Sequence, residues 1–241
     1  MTGFFTALMF LTRVPIPRSR AEGAGDLAGA APWLPVVGAF IGALVAAAVL
    51  AGALVDPWVG ALLGLLVWVL VTGGLHIDGL GDVADGLGAA HGNPERFVTV
   101  ARDPHLGSFG AIAIALQIAA KLVLLGVLAR NASAETVIAG LMLAAAWARW
   151  GALALGRALP PLAEGLASRL ALGIETRTVA LEAAALAALT LYFAPLLLGA
   201  LPLIVAFALY WRLRLGGVSG DCLGASIEVL ESALLLLLLL A

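Results

Sequence analysis

Three aspartates lie within eight residues of a chain that has only 15 acidic residues in 241. They sit in Gly73-Gly74-Leu75-His76-Ile77-Asp78-Gly79-Leu80-Gly81-Asp82-Val83-Ala84-Asp85-Gly86-Leu87-Gly88. Spacings of four and three place Asp78, Asp82 and Asp85 within about 60° of arc on a helix. Carboxylates so close repel one another unless a hard divalent cation sits among them, and Mg²⁺ in phosphate enzymes is held by a few carboxylates plus substrate oxygens. The glycines at 79, 81, 86 and 88 each weaken a helix by about 1 kcal/mol relative to alanine. They are expected to allow close backbone approach to a ligand. The plainer alternative is a solvated, glycine-rich loop that its acids keep out of lipid.

Two further constellations accompany it. Arg102-Asp103-Pro104-His105-Leu106-Gly107-Ser108-Phe109-Gly110 offers a guanidinium fork suited to phosphate, a carboxylate, and glycine and serine N–H groups at a helix start, where anions bind. Gly220-Asp221-Cys222-Leu223-Gly224-Ala225-Ser226-Ile227-Glu228-Val229-Leu230-Glu231 takes two acids, Glu228 and Glu231, to membrane depth. There each costs about 2.5 kcal/mol or more unless paired or facing a polar cavity. Lys121 and Arg149, the basic residues inside apolar segments, are their candidate partners, in a packing salt bridge or in a functional site. His76 stands two residues before Asp78 and so faces away from the acids on a helix, which favours a hydrogen-bonding role over metal ligation. Ser219 and Cys222 have no neighbouring histidine base, which argues against acyl transfer.

The elements that must position these groups are membrane helices. The chain is 63% hydrophobic and 12% charged, with a mean hydropathy of +1.09. Lipid offers the backbone no hydrogen-bond partners, and long unalternating Leu/Ala/Val/Gly runs select helices over a barrel. The fold class expected is all-α, a polytopic integral membrane helix bundle forming one domain over 1–241. At about 20 apolar residues per crossing, spans are expected near 33–55, 57–75, 107–129 and 135–156. Two short or tilted spans share 178–211, with Pro195 and Pro202 available to turn between them, and a last one covers 222–241. That makes about seven transmembrane helices. A short N-terminal helix over Phe4 to Leu11 is interfacial or half-spanning rather than a signal peptide.

Seven spans put Arg13, Arg18, Arg20, Arg96, Arg102, Arg157, Arg169, Arg177, Arg212 and Arg214 on one side, opposite Arg130. This asymmetry marks their side, which also holds the acid cluster, as cytoplasmic. A net charge of −2 presents no basic surface for nucleic acid. One cysteine excludes an internal disulfide and a cysteine-rich metal site.

Leu75-His76-Ile77-Asp78-Gly79-Leu80 with Asp82 and Asp85-Gly86, then Arg102-Asp103 with Gly107 and Gly110, then Gly220-Asp221-Cys222-Leu223-Gly224-Ala225 with Glu228 together resemble the cobalamin synthase family, the adenosylcobinamide-GDP ribazoletransferases. The opening Phe10-Leu11-Thr12-Arg13-Val14-Pro15-Ile16-Pro17 fits as well, so the resemblance covers nearly the whole chain. Gly81, Val83 and Ile77 depart from the usual pattern without touching the acids. The resemblance implies a Mg²⁺-dependent enzyme of the prokaryotic inner membrane, working at its cytoplasmic face. It would join adenosylcobinamide-GDP and α-ribazole, or α-ribazole 5′-phosphate, releasing GMP and forming adenosylcobalamin or its phosphate.

On this reading Asp78, Asp82 and Asp85 are metal ligands. Asp82, Asp103, Asp221 and Arg102 carry the chemistry, with Asp103 and Asp221 as further ligands or as the base for the ribazole hydroxyl. His76, Arg102, Ser108, Glu228 and Lys121 are candidate substrate-binding groups. The partners expected are the two substrates and the lipid bilayer, with a homo-oligomer left open. A CDP-alcohol phosphotransferase is the competing enzyme reading, but its Ala-Arg element is missing after Asp82-Val83-Ala84-Asp85-Gly86. A cation transporter is the competing class, but no internal repeat appears and most acids collect at one face.

Overall fold

The computed structural model describes residues 2–16, 28–163, 165 and 174–240. Arg18, Arg20 and Arg169 of the arginine asymmetry lie outside them. The described residues form helices α1 (Thr2–Leu11), α2 (Leu34–Ala53), α3 (Pro57–Thr72), α4 (Leu75–Ala90), α5 (Pro94–Ala101), α6 (Ser108–Asn131), α7 (Ala134–Ala158), α8 (Thr176–Phe193), α9 (Ala200–Leu215) and α10 (Gly220–Leu238). Short 3₁₀ turns over Ala28–Trp33 and Pro195–Gly199 lead into α2 and α9.

Lipid-compatible length and composition account for most of this. Ala28–Ala53, Ser108–Asn131, Ala134–Ala158, Thr176–Phe193 and Pro195–Leu215 are each long and apolar enough to cross a bilayer, so the protein is a multi-pass membrane bundle. The segment expected to hold two spans breaks at Ala194-Pro195, where proline cannot continue a helix. Pro202 instead lies in the first turn of α9, a position that tolerates it. The second and seventh expected spans differ from the rest. α3 has 16 residues and is bent by 84° from α4, so the pair counts at most as one broken span. α10 holds its place in the chain, but Asp221, Glu228 and Glu231 interrupt its apolarity. With ten residues, α1 is about 15 Å long and too short to cross.

Small residues set the helix spacing. Gly38 and Gly42, four apart on α2, lie against the backbone of Ala145 and Leu141 on α7, leaving no room for a Cβ. This is the close approach that small-xxx-small patterns permit in lipid. Leucines 62, 66 and 70 of α3 and Ile112, Leu116 and Val123 of α6 remain exposed on the outer surface, as a lipid-facing shell requires.

The interior carries an ion network. Lys121 Nζ of α6 donates to Glu228 Oε2 at 2.6 Å and to Glu231 Oε2 at 2.5 Å, both on α10. Arg149 of α7 pairs with Glu231 Oε1 and donates to the Ala145 carbonyl at 3.2 Å. Gln117 Nε2 donates to the Glu228 carbonyl at 2.7 Å, to its Oε2 at 3.0 Å and to Ser232 Oγ at 2.9 Å. Lys121 also lies 4.3 Å from the ring centroid of Trp68 on α3. Arg149 and Glu231 are fully buried, Lys121 and Glu228 nearly so. Glu231→Leu would leave two buried cations short of a partner. It should cost about 3–5 kcal/mol, read as a sharp fall in the thermal unfolding midpoint of the detergent-solubilised protein.

Candidate active site

The site begins with a turn. Gly73 and Gly74 are both left-handed, with φ of +63° and +75°, a conformation that side chains other than glycine and asparagine resist. Together they end α3 and start α4 after an 84° change of direction. The Arg13 N–H donates to the Val71 carbonyl at 2.7 Å, and its side chain lies against Gly73, bracing the corner.

On α4, His76, Gly79, Val83, Gly86 and Ala90 are buried, while Asp78 is exposed and Asp82 and Asp85 are half-buried. The buried face packs against α10, α5 and α6. The glycines expected to admit a ligand admit neighbouring helices, and only Gly79 among them also lines a cleft. A Cβ on Gly79 would meet Asp221 Cα at 3.1 Å, and those on Gly86 and Gly88 would meet the rings of Phe97 and Phe109. Across the same contact, a Cβ on Gly224 would meet His76 Cα at 3.4 Å. Close α4–α10 packing thus brings Asp221 to the acids of α4, although more than a hundred residues separate them.

The electrostatics report one acid cluster. Burial first, then the charges of Asp78, Asp221 and Asp85, push the Asp82 carboxyl up to about 6. Asp85 has a second task. Its Oδ2 accepts the Gly107 N–H at 2.7 Å and its Oδ1 the Gly110 N–H at 2.9 Å. The α6 N-terminus, which lacks a side-chain cap of its own, is thereby capped from α4 by a negative charge at the positive end of the helix dipole. As the side chains stand, no three His, Cys, Asp or Glu groups among the described residues are gathered closely enough to hold a metal ion. The commitment of Asp85 to α6 is one physical reason.

Beside the acids lies a cleft of about 340 Å³, whose polar groups include His76, Arg102, Ser219 and Asp221. Arg102 follows α5 directly and its charge acts on Asp221. Ser219 caps α10, its Oγ accepting the Cys222 N–H at 3.2 Å. The Val218 N–H donates to the Pro160 carbonyl at 3.0 Å and the Leu162 N–H to the Val218 carbonyl at 2.9 Å, fastening the loop before α10 to the end of α7.

The structure therefore unites Asp78, Asp82, Asp85, Asp221, Arg102 and His76 in one region and leaves others apart. Asp103 is exposed, and its Oδ1 accepts the His105 N–H at 3.0 Å and meets His105 Nδ1 at 2.7 Å. These contacts hold its carboxyl below the usual range. It is not among the charges that act on Asp82. Ser108 is exposed in the first turn of α6, and the residue at the cap is Gly107. Lys121 and Glu228 belong to the buried ion network and do not line the cleft. His76 touches both regions, lining the cleft while its Nδ1 lies 3.5 Å from Arg149 Nη2. The cleft's apolar walls had no signature in the sequence, because they come from helices far apart in the chain.

Asp78 and Asp85 should respond oppositely to removal. Asp85→Ala deprives α6 of its cap and should lower stability by about 1 kcal/mol. Asp78→Asn relieves repulsion among like charges and should hold or raise the unfolding midpoint. Differential scanning fluorimetry in detergent separates the two.

Comparison with known proteins gives the family of the chain. A family model described as cobalamin-5-phosphate synthase matches residues 3–239. Proteins named adenosylcobinamide-GDP ribazoletransferase are similar over nearly their whole lengths. That of Laribacter hongkongensis is 50% identical over 100% of this chain and 98% of its own. Those of Novosphingobium aromaticivorans and Thiobacillus denitrificans are 48% and 46% identical, each over 98% of this chain and 95% and 94% of their own. No solved structure matches. With its four sequence constellations, its membrane bundle and a family match across the chain, this protein belongs to the cobalamin-5-phosphate synthase family.

Proposed function

We propose that this protein is an adenosylcobinamide-GDP ribazoletransferase. It transfers the adenosylcobinamide phosphoryl group from GMP to α-ribazole or α-ribazole 5′-phosphate in a late step of cobalamin biosynthesis. The observation that carries this reading is the convergence of Asp78 and Asp82 with Asp221 where α4 meets α10, with Asp221 and Arg102 both lining the cleft beside them.

In the reaction a ribose hydroxyl oxygen attacks the phosphorus that bears cobinamide. The bond from that phosphorus to the bridging oxygen breaks, GMP departs with the bond's electrons, and the hydroxyl proton passes to a carboxylate. Asp221, in the cleft and beside the acids of α4, is placed to receive it. The Arg102 guanidinium suits a phosphate oxygen. Asp82, with its carboxyl pushed up by burial and by the neighbouring acids, belongs to a cluster whose mutual repulsion a cation would relieve. With no three carboxylates among the described residues gathered closely enough to hold an ion by themselves, Asp78 and Asp82 would hold Mg²⁺ together with phosphate oxygens of the substrate. A bound ion would neutralise charge on the transferred and leaving phosphates. Asp85 keeps the α6 start in place beside them.

The inner membrane of a prokaryote, with the site at the cytoplasmic face, is the location that fits. Arg13, Arg96, Arg102, Arg157, Arg177, Arg212 and Arg214 among the described residues fall in or beside connections on the site's side of the expected topology, opposite Arg130. Purified protein in liposomes, given adenosylcobinamide-GDP, α-ribazole and Mg²⁺, should release GMP and form a cobalamin; no turnover by folded protein would overturn the proposal. Asp82→Asn should reduce turnover at least about a hundredfold without loss of folded protein, and near-normal activity would remove Asp82 from the site.

A further inference from the structure

The cleft is lined mostly by apolar side chains, with a few polar groups among them. Phe10 closes it from α1, Phe97 and Val98 from α5, Leu153 from α7, and Leu223 and Ile227 from α10, while Arg102, Ser219 and Asp221 stand together at the acid cluster. We infer that this cleft binds the ribazole nucleoside, its flat apolar base lying among Phe10, Phe97, Leu153 and Ile227 and its ribose hydroxyls at Asp221. The assignment rests on the ribazoletransferase reading and adds where each substrate lies.

Size and polarity select this occupant from the pieces of the two substrates. At about 340 Å³ the cleft is at the lower end of small-ligand pockets, on the order of 300–1,000 Å³. That suits a nucleoside and excludes a corrin macrocycle with its amide side chains. Guanine has donors and acceptors around its edge, which the apolar walls would leave unpaired, and a buried polar group without a partner is penalised. A benzimidazole carrying two methyl groups has almost no such edge, so its burial is favoured by area alone. The ribose then reaches the part of the cleft where Asp221 meets the α4 acids. The guanosine diphosphate of the other substrate is left to the solvent side of the cluster, with Arg102 between the two.

Gly156 provides the test. It lines the cleft from α7, and a Cβ built there meets only Leu223 Cδ1, at 3.7 Å. A larger side chain can therefore enter the cavity without striking backbone, and the change from glycine favours the helix. Gly156→Leu should raise the KM for α-ribazole about tenfold or more, while the KM for adenosylcobinamide-GDP moves less than about twofold. Val98→Trp, intruding from α5, should shift the same constant. If the KM for adenosylcobinamide-GDP rises instead, the cleft holds the guanine nucleotide and the inference fails. If neither constant moves in either variant, the nucleoside binds elsewhere and the inference fails again.

Direct binding separates this inference from the reaction assignment. Isothermal titration of the solubilised wild-type protein should show uptake of α-ribazole, competition by 5,6-dimethylbenzimidazole and none by GMP. Gly156→Leu should lose the signal. That pattern supports the cleft assignment even in a preparation without turnover. Absence of α-ribazole binding, equal competition by GMP, or an unchanged signal in Gly156→Leu overturns it.

Discussion

Two anionic and two cationic side chains share the centre of a bundle otherwise built of leucine, alanine, valine and glycine, and they join its helices. Lys121 comes from α6, Arg149 from α7, and Glu228 and Glu231 from α10, with Trp68 of α3 against the lysine and His76 of α4 beside the arginine. In lipid, apolar packing alone gives helices little preference for one neighbour or rotation over another. A buried charge is different, because any arrangement that separates it from its partner is heavily penalised. The network therefore specifies which faces of α6, α7 and α10 turn inward, and α4 settles on top of that core.

This explains how a helix weakened by four glycines can carry the chemistry. α4 draws its order from neighbours rather than from intrinsic propensity. His76 reaches toward the ion network at one end, Gly79 seats the helix on α10, and Asp85 ties it to the start of α6. The like charges of Asp78, Asp82 and Asp221 can be held together because those attachments oppose their repulsion. Stability is given up locally to keep like charges side by side, as happens where function and folding compete.

Much of this was legible in the residues. Apolar run lengths marked most of the crossings, and the spacing of Asp78, Asp82 and Asp85 predicted a shared helix. What escaped were relations between distant segments. Nothing near Asp85 announces that its oxygens cap a helix beginning 23 residues later in the chain. The α4 glycines suggested room for a ligand; at Gly86 and Gly88 that room is filled by Phe97 and Phe109, while Gly79 both packs on Asp221 and lines the cleft. Lys121 and Glu228 were candidates for both substrate binding and internal pairing, and geometry places them in the latter arrangement. Motif adjacency suggested a catalytic role for Asp103, and nothing in the sequence announced that its carboxylate accepts the His105 N–H in an exposed turn.

The corner at Gly73 and Gly74 also bears on how the chain enters the membrane. Helices α2 and α3 form an apolar hairpin with a short connection, Leu54 to Asp56, at its tip. Such a hairpin can partition from the translocon as one unit, because its backbone is satisfied within each helix. The turn redirects the chain four residues before Asp78. The acids of α4 therefore follow a change of direction instead of extending the apolar line of α3, and two residues without side chains set where the hairpin ends and the charged helix begins.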